Sequence, residues 1–333
     1  MKKKKLLIVG IGSIGKRHAA CFAKLNCNID IADISKSRIE EAKNKIQFEN
    51  YYLDYNKALN TTKYDAVLIC TPPHLHLEIA KKTIKKKINL FIEKPLGMST
   101  LGWKEVYNFC KKNKIVNYVA FCHRHINYIR MSKKIIDDGK IGKILTGNVI
   151  WGSYLPDWHP WEKYYSFYMA KKIQGGGALM DESHGIDLLR YFAGEIEDVF
   201  ARVLNVSTLK ITSDDLAILN CKLKNKSVFQ LNFDLISRSP RVSIEIVGSK
   251  GTLFIDRVLN ELKLFSSINK KWKIFKFQKS DLLNMYDNQA KFFLNCLNHK
   301  VKNTQNIGDS IKTQKIIDAA FQSSIKNKII KIN

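Results

Sequence analysis

The residues whose types and spacing can do chemistry fall at a few points of the chain. Gly10-x-Gly12-x-x-Gly15, with Ser13 and Ile14 inside it, follows the apolar run Leu6–Val9 and precedes Arg17–Leu25, which reads as a helix. The three glycines suit a tight turn, close approach of backbone to a pyrophosphate, and close packing of helix on strand. The helix start adds N–H groups and a positive dipole end for phosphate. Asp33 closes a second apolar run 18 positions after Gly15, near the spacing of about 20 for a carboxylate on an adenosine ribose. The rival reading is an ordinary strand–turn–helix with Asp33 capping the next helix. A ribose-binding carboxylate repels a 2′-phosphate, so NAD is expected ahead of NADP, with Lys36 and Arg38 placed to soften the preference. Cys70-Thr71-Pro72 and Glu93-Lys94-Pro95 end two further apolar runs. A lysine there can stabilise a developing alkoxide, and a histidine titrating near neutrality can take a hydroxyl proton. Gly175-Gly-Gly177 opens a helix near Ala178 on which Asp181, His184, Asp187 and Leu188 share one stripe. Asp187, a turn deeper, is placed to orient the His184 imidazole.

The elements that must position these residues alternate strand and helix through the first 121 residues. That rhythm predicts a doubly wound parallel sheet, with ligands beyond the carboxyl ends of its strands. Gly10–Gly15, Asp33, Thr71-Pro72 and Glu93-Lys94 then surround one crevice. His74 and His76 are expected to pack near the cofactor, and His76 joins the candidate cofactor contacts. From Cys122 the rhythm changes. An amphipathic helix over 128–138 and a strand over 144–151 lead to an aromatic loop, Tyr154–Tyr165. After Gly194 come five or six strand-like segments, near 197–207, 215–223, 227–235, 242–247, 252–256 and 271–277, then helices near 281–297 and 308–326. Strands without intervening helices predict an α+β domain with a large, mostly antiparallel open sheet. The expected domains are 1–121, a dinucleotide-binding Rossmann domain, and 122–333, for substrate and oligomerisation. Val228–Ile236 carries apolar residues on alternate positions of both faces in places, so the open face is expected to be covered by a second copy, as a dimer or tetramer.

Composition narrows the partners. The net charge of +26 comes from 56 basic residues, of which 47 are Lys and 9 Arg, spread along the whole chain. Base-reading surfaces favour Arg for its bidentate fork, and no nucleic-acid motif is present. The 7 cysteines are scattered and nowhere form C-x-x-C, so reduced thiols are expected, with neither a disulfide framework nor a zinc site. The spacings support no metal. No apolar run approaches the roughly 18 residues of a membrane span, and the run after the N-terminal lysines is too short for a signal peptide. A cytoplasmic protein is expected.

The glycine motif with His18, the Thr71-Pro72 turn, Glu93-Lys94-Pro95, Gly175-Gly-Gly177 before a helix with Asp and His, and Val247-Gly-Ser-Lys-Gly251-Thr-Leu together resemble the glucose–fructose oxidoreductase/inositol dehydrogenase (Gfo/Idh/MocA) family over the whole length. The resemblance implies an NAD(P)-dependent dehydrogenase or reductase of a sugar, polyol or nucleotide-linked sugar. It implies Lys94 between nicotinamide and substrate, and Asp181 and His184 for proton chemistry. It also implies that the open sheet face packs against another subunit. The family's usual Asp-to-His spacing is four residues; here it is three, while His184 and Asp187 keep H-x-x-D. A variant branch with Tyr-Leu-Pro-Asp-Trp before the glycines, as at 154–158, shares the short form, and there His184 is the firmer assignment. Arg124, Tyr154, Trp158, His159 and Tyr164 join Lys94, Asp181 and His184 as candidate substrate contacts, the aromatic faces suiting a sugar. The alternatives are a non-catalytic NAD(P)-sensing regulator of the same fold and a biliverdin-type or imine reductase.

Overall fold

The computed structural model describes residues 3–158 and 162–332. Contacts divide the chain into two units, Met1–Cys122 with Leu283–Ile311, and His123–Leu282 with Lys312–Asn333.

In the first unit the elements run β1 (Lys5–Val9), α1 (Ser13–Lys24), β2 (Asn28–Ala32), α2 (Lys36–Lys43), β3 (Tyr51–Tyr52), α3 (Tyr55–Thr61), β4 (Ala66–Ile69), α4 (His76–Lys85), β5 (Asn89–Ile92), α5 (Trp103–Lys112) and β6 (Asn117–Val119). The strands are all parallel in the order β3-β2-β1-β4-β5-β6. Leu6–Val9 is buried throughout because the sheet is covered on both faces. Leu6 and Ile8 pack with Phe22, Phe91 and Tyr118, while Leu7 and Val9 pack with Ile79, Ile92 and Trp103. The chain order reverses between β1 and β4, so ligands are expected over the ends of these two strands.

The second unit begins with α6 (Asn127–Asp137), β7 (Ile144–Tyr154), α7 (Ala178–Asp181) and α8 (Ser183–Ala193). It continues with β8 (Ile196–Leu204), β9 (Leu216–Leu223), β10 (Val228–Asp234), β11 (Ile236–Gly248), β12 (Gly251–Asp256), β13 (Glu261–Ser266) and β14 (Lys271–Lys276). Two long helices, α9 (Lys279–Leu297) and α10 (Ile307–Lys326), and the short β15 (Ile330–Lys331) end the chain. The nine strands run β14-β13-β12-β11-β7-β10-β9-β8-β15. All pairs are antiparallel except β7 with β10, which is parallel, so the sheet is mixed.

Three expectations change. Residues 283–311, placed by sequence with the second half, belong to the first unit. Ala290, Phe293 and Leu297 of α9 join the core of Phe22, Phe91 and Tyr118, and Asn117 and Val119 of β6 bond Ile307 and Gln305. The open face of the run Val228–Ile236 is less apolar than expected: Phe229, Leu231 and Phe233 are fully buried on the covered face, while Gln230 and Asn232 stand with half-exposed Val228 on the other. Across β9–β14 the register sets the open face in rows such as Asn220–Gln230–Asn148–Glu245–Phe254–Lys263–Ile274 and Lys222–Val228–Thr146–Val247–Thr252–Phe265–Trp272. That face is mixed, with Trp272 and Ile274 each about half exposed. Finally, the stripe expected from Ala178 onward is interrupted at Glu182, which ends α7 and starts α8 at ψ 21°. There the bonding tightens to Gly185 N–H onto the Glu182 carbonyl, an i→i+3 turn.

Candidate active site

The cradle after β1 is built by three glycines with different needs. Gly10 has φ +91°, and a Cβ there would strike the Cys70 carbonyl oxygen at 2.7 Å. One on Gly15 would lie 2.0 Å from the Gly10 carbonyl oxygen. One on Gly12 would meet nothing within 4 Å. Gly12 starts α1 and has no side-chain cap; Ser13 is exposed and Ile14 half-buried beside it. This is the arrangement a pyrophosphate needs: open space beside a backbone with unclaimed N–H groups at a helix N-terminus. Asp33, at the end of β2, is buried and shapes the loop. Its Oδ2 accepts the Ile11 N–H at 2.9 Å and its Oδ1 the Ser35 N–H at 2.8 Å. Each carboxylate oxygen keeps further lone-pair capacity for a ribose hydroxyl. The cap of α2 is Ser35, whose Oγ accepts the Arg38 N–H.

At the end of β4, Cys70 is buried, and desolvation pushes its thiol well above the ordinary range, which leaves it inert. Thr71 has a buried Oγ1 with no partner among the described residues, a polar atom that fits a ligand. Pro72 precedes a short 3₁₀ turn, Pro73–Leu75. His76 is fully buried, and burial lowers its pKa. Its Nε2 lies 2.8 Å from the Thr71 carbonyl oxygen and its Nδ1 3.1 Å from that of Pro95, so the imidazole ties the two loops together. Glu93 follows β5 and accepts the Lys94 N–H through Oε2 at 3.1 Å.

In the second unit, Asp181 ends α7 and accepts the Tyr168 hydroxyl at 2.8 Å. His184, nearly buried in the first turn of α8, lies flat on His123, with ring centroids 3.9 Å apart and planes 10° apart. His123 stacks in turn on Trp151 at 4.9 Å, and the Arg257 guanidinium sits 5.1 Å from the Trp151 ring. Gly185 lets α8 close on the sheet, since a Cβ there would reach Phe233 at 2.5 Å. The carboxylate of Asp187, the residue placed by sequence to orient His184, receives Arg124, Nε to Oδ2 at 2.7 Å and Nη2 to Oδ1 at 2.5 Å. Arg124, a candidate substrate contact, is thus one arm of a bidentate buried pair.

The remaining candidates are spread along the aromatic segment. Tyr154 lies beneath the Arg238 guanidinium, 3.7 Å from its ring centre. Trp158 donates Nε1–H to Ser153 Oγ at 2.7 Å, and the Tyr164 hydroxyl accepts the Lys210 N–H at 3.1 Å. His159 lies outside the described residues. Sequence reasoning missed Tyr168 and left His123 without a role. Alternation along β7 puts Trp151 on the helix-covered face, the one signal that pointed to the stack.

The strand order and the cradle define a dinucleotide-binding Rossmann protein with a second, mixed-sheet unit. A family model described as oxidoreductase family, NAD-binding Rossmann fold, matches residues 4–121, and one for the GFO/IDH/MocA C-terminal domain matches residues 129–254. The chain belongs to the Gfo/Idh/MocA oxidoreductase family. Levoglucosan dehydrogenase of Pseudarthrobacter phenanthrenivorans is 33% identical over 206 residues, 58% of this chain and 52% of that protein, so the match spans about half of that relative's length. Myo-inositol 2-dehydrogenase of Thermotoga maritima is 27% identical over 263 residues, 75% of each chain. In fold, the chain superposes on levoglucosan dehydrogenase in complex with NADH and levoglucosan with a TM-score of 0.89 at 22% identity, covering 99% of this chain and 100% of the other. It superposes on the WlbA dehydrogenase of Bordetella pertussis, in complex with NADH and UDP-GlcNAcA, at 0.84 and 20% identity, covering 100% and 98%.

Proposed function

We propose that this protein is a cytoplasmic, NAD-dependent oxidoreductase acting on a secondary alcohol or ketone of a sugar, polyol or nucleotide-linked sugar. The observation that carries the reading is the cradle at Gly12: open space, an uncapped helix start, and the Asp33 carboxylate at the end of the neighbouring strand. Relatives named for levoglucosan and myo-inositol support the substrate class. Gly10–Gly15, Asp33, Thr71 and Glu93 would hold the dinucleotide, and Asp33 favours NAD over NADP by like-charge repulsion. When bound, the nicotinamide supplies the hydride acceptor or donor. His184 takes the hydroxyl proton, its ring orientation fixed by the stack on His123. Lys94 offers the charge that meets the developing alkoxide. Asp181 shares its carboxylate with Tyr168 and plays the smaller part.

Single-turnover absorbance of NADH, with NAD and NADP run in parallel against myo-inositol, levoglucosan and UDP-sugars, tests this. His184→Ala and Lys94→Ala should each slow hydride transfer by about 10²–10⁴-fold with cofactor affinity little changed, and Asp181→Asn should cost less. A His184→Ala enzyme within about threefold of wild type removes histidine from the mechanism. Tight NAD binding with no turnover across the panel would favour the sensor instead. The same reading places a second copy on the open sheet face around Ile218, Phe254, Trp272 and Ile274, giving a dimer or tetramer. Light scattering at micromolar concentration checks it, and a monomer would sink it.

A further inference from the structure

One cavity in the second unit is lined by two polar side chains, Tyr128 and Arg257, that have no part in the roles assigned so far. It holds about 10 Å³, room for one water-sized atom. Most of its wall is apolar, and Tyr128, Arg257, Ser243 and His123 are the polar residues on it. Tyr128, in the first turn of α6, is 1% exposed. Its hydroxyl is buried with no hydrogen-bond partner among the described residues. Burial pushes its pKa up to about 12, against the opposing charge of Arg257, so at neutral pH the hydroxyl keeps its proton and can donate. Arg257, just after β12, is half-buried. Its guanidinium lies 5.1 Å from the Trp151 ring and makes no hydrogen bond or ion pair among the described residues.

The two carboxylates whose charges reach Tyr128 are engaged elsewhere. Asp256 accepts the Val258 and Leu259 N–H groups at 3.0 Å. Asp281 accepts Asn127 Nδ2 at 2.7 Å and the Gln278 N–H at 3.1 Å. A buried hydroxyl without an acceptor is unfavourable, and so is a cation drawn from water without an anion. A water in the cavity would serve the hydroxyl and leave the guanidinium charge uncompensated. Tyr128 and Arg257 both offer donors, so what they lack in common is a negatively charged acceptor small enough for the space. The net charge of +26 draws anions to the molecule as a whole.

We propose that this cavity is a binding site for a monatomic anion, a halide such as chloride, held by the Tyr128 hydroxyl and the Arg257 guanidinium. A halide accepts from any direction, so one ion serves two donors that come from different elements, with the Ser243 hydroxyl as a third.

The test needs no turnover, so it stands apart from the catalytic reading. Bromide is the probe, because it scatters anomalously and takes the place of chloride. Crystals of the full-length protein grown without halide are soaked in sodium bromide. An anomalous peak is expected within reach of both the Tyr128 hydroxyl and the Arg257 guanidinium. In solution, thermal melts at constant ionic strength, with bromide exchanged for gluconate, should show a saturable stabilisation. Arg257→Met keeps an apolar stem on Trp151 and removes the charge. It should abolish the peak and raise the half-saturating bromide concentration at least about tenfold. Tyr128→Phe keeps the ring and removes the donor, and should raise that concentration at least about threefold. Should Arg257→Met fail to fold, Arg257→Gln takes its place with the same expectation. Bromide at surface positions and not in the cavity, an adventitious ion only, overturns the proposal. Stabilisation by bromide that is equal in wild type and Arg257→Met overturns it too.

Discussion

A Cβ added to Gly12 meets no atom within 4 Å, whereas one added to Gly15 lands on the Gly10 carbonyl oxygen. The two glycines therefore answer to different demands, although the motif writes them alike. Gly15 serves the fold, because α1 can close on β1 only without a side chain there. Gly12 serves a ligand, because only a group outside the protein limits the space above it. Gly12→Ala should leave stability within about 0.5 kcal/mol of wild type while raising the Kd for NADH at least about tenfold, roughly 1.4 kcal/mol. Gly15→Ala should lower the urea midpoint by a clear margin and lose cofactor binding with it. Thermal melts and fluorescence titration of both variants separate the two, and an NADH affinity unchanged by Gly12→Ala would take the pyrophosphate away from this loop.

The helix that carries Asp181 and His184 shows what a periodic pattern can and cannot tell. Residues three and four apart share a stripe only while the helix is regular, and the turn at Glu182 divides it. Asp181 therefore faces Tyr168, and His184 faces His123. The short α7 is held at its start by Asp214, whose Oδ2 accepts the Leu179 N–H and whose backbone carbonyl accepts that of Ala178. Gly177 makes room for this, since a Cβ there would lie 2.2 Å from Asp214 Oδ1. Burial raises the Asp214 pKa to about 6. A carboxyl whose folded pKa is raised binds its proton more tightly in the native state, so stability falls as pH rises from about 4 to about 6 and stays lower above that. Asp214→Asn keeps an acceptor for Leu179 without the charge. It should gain on the order of 1–3 kcal/mol over wild type at pH 7 and little at pH 4.5, measured by thermal melts across that range. A gain independent of pH would mean that the carboxylate is not the source. Other elements were legible to different degrees. The glycine loop, β1 and Asp33 could be read because one local pattern fixes each. β13 was missed because the alternation of Glu261-Leu-Lys-Leu264 lasts only four residues before Phe265 breaks it, too short a run to stand out. The Arg124–Asp187 pair spans 63 residues, a contact that no local spacing announces.

For the whole molecule, the change of rhythm near residue 121 marks where strand–helix alternation stops, but not where the first core is completed. One face of the six-stranded sheet is closed by a helix that the chain supplies about 160 residues later. Phe293 of α9 is fully buried there, with ring centres 5.2 Å from Phe91, 5.7 Å from Tyr118 and 6.1 Å from Phe22. Gln289 donates to the Tyr118 hydroxyl at 3.3 Å, and Gln305 Nε2 donates to the Phe121 carbonyl at 3.0 Å. An apolar stripe on a late helix says that the helix is covered, not which sheet covers it, so the sequence pattern assigned α9 to its neighbours in the chain. The consequence is a test of domain autonomy. Residues 1–122 expressed alone expose Phe22, Phe91 and Tyr118 to water and should lack a cooperative urea transition. In the full chain, Phe293→Ala should destabilise by about 3–5 kcal/mol, the range for emptying a buried aromatic site, while Phe265→Ala on the open sheet face should cost far less. A sharp unfolding transition for residues 1–122 on their own would show that the first core closes without α9.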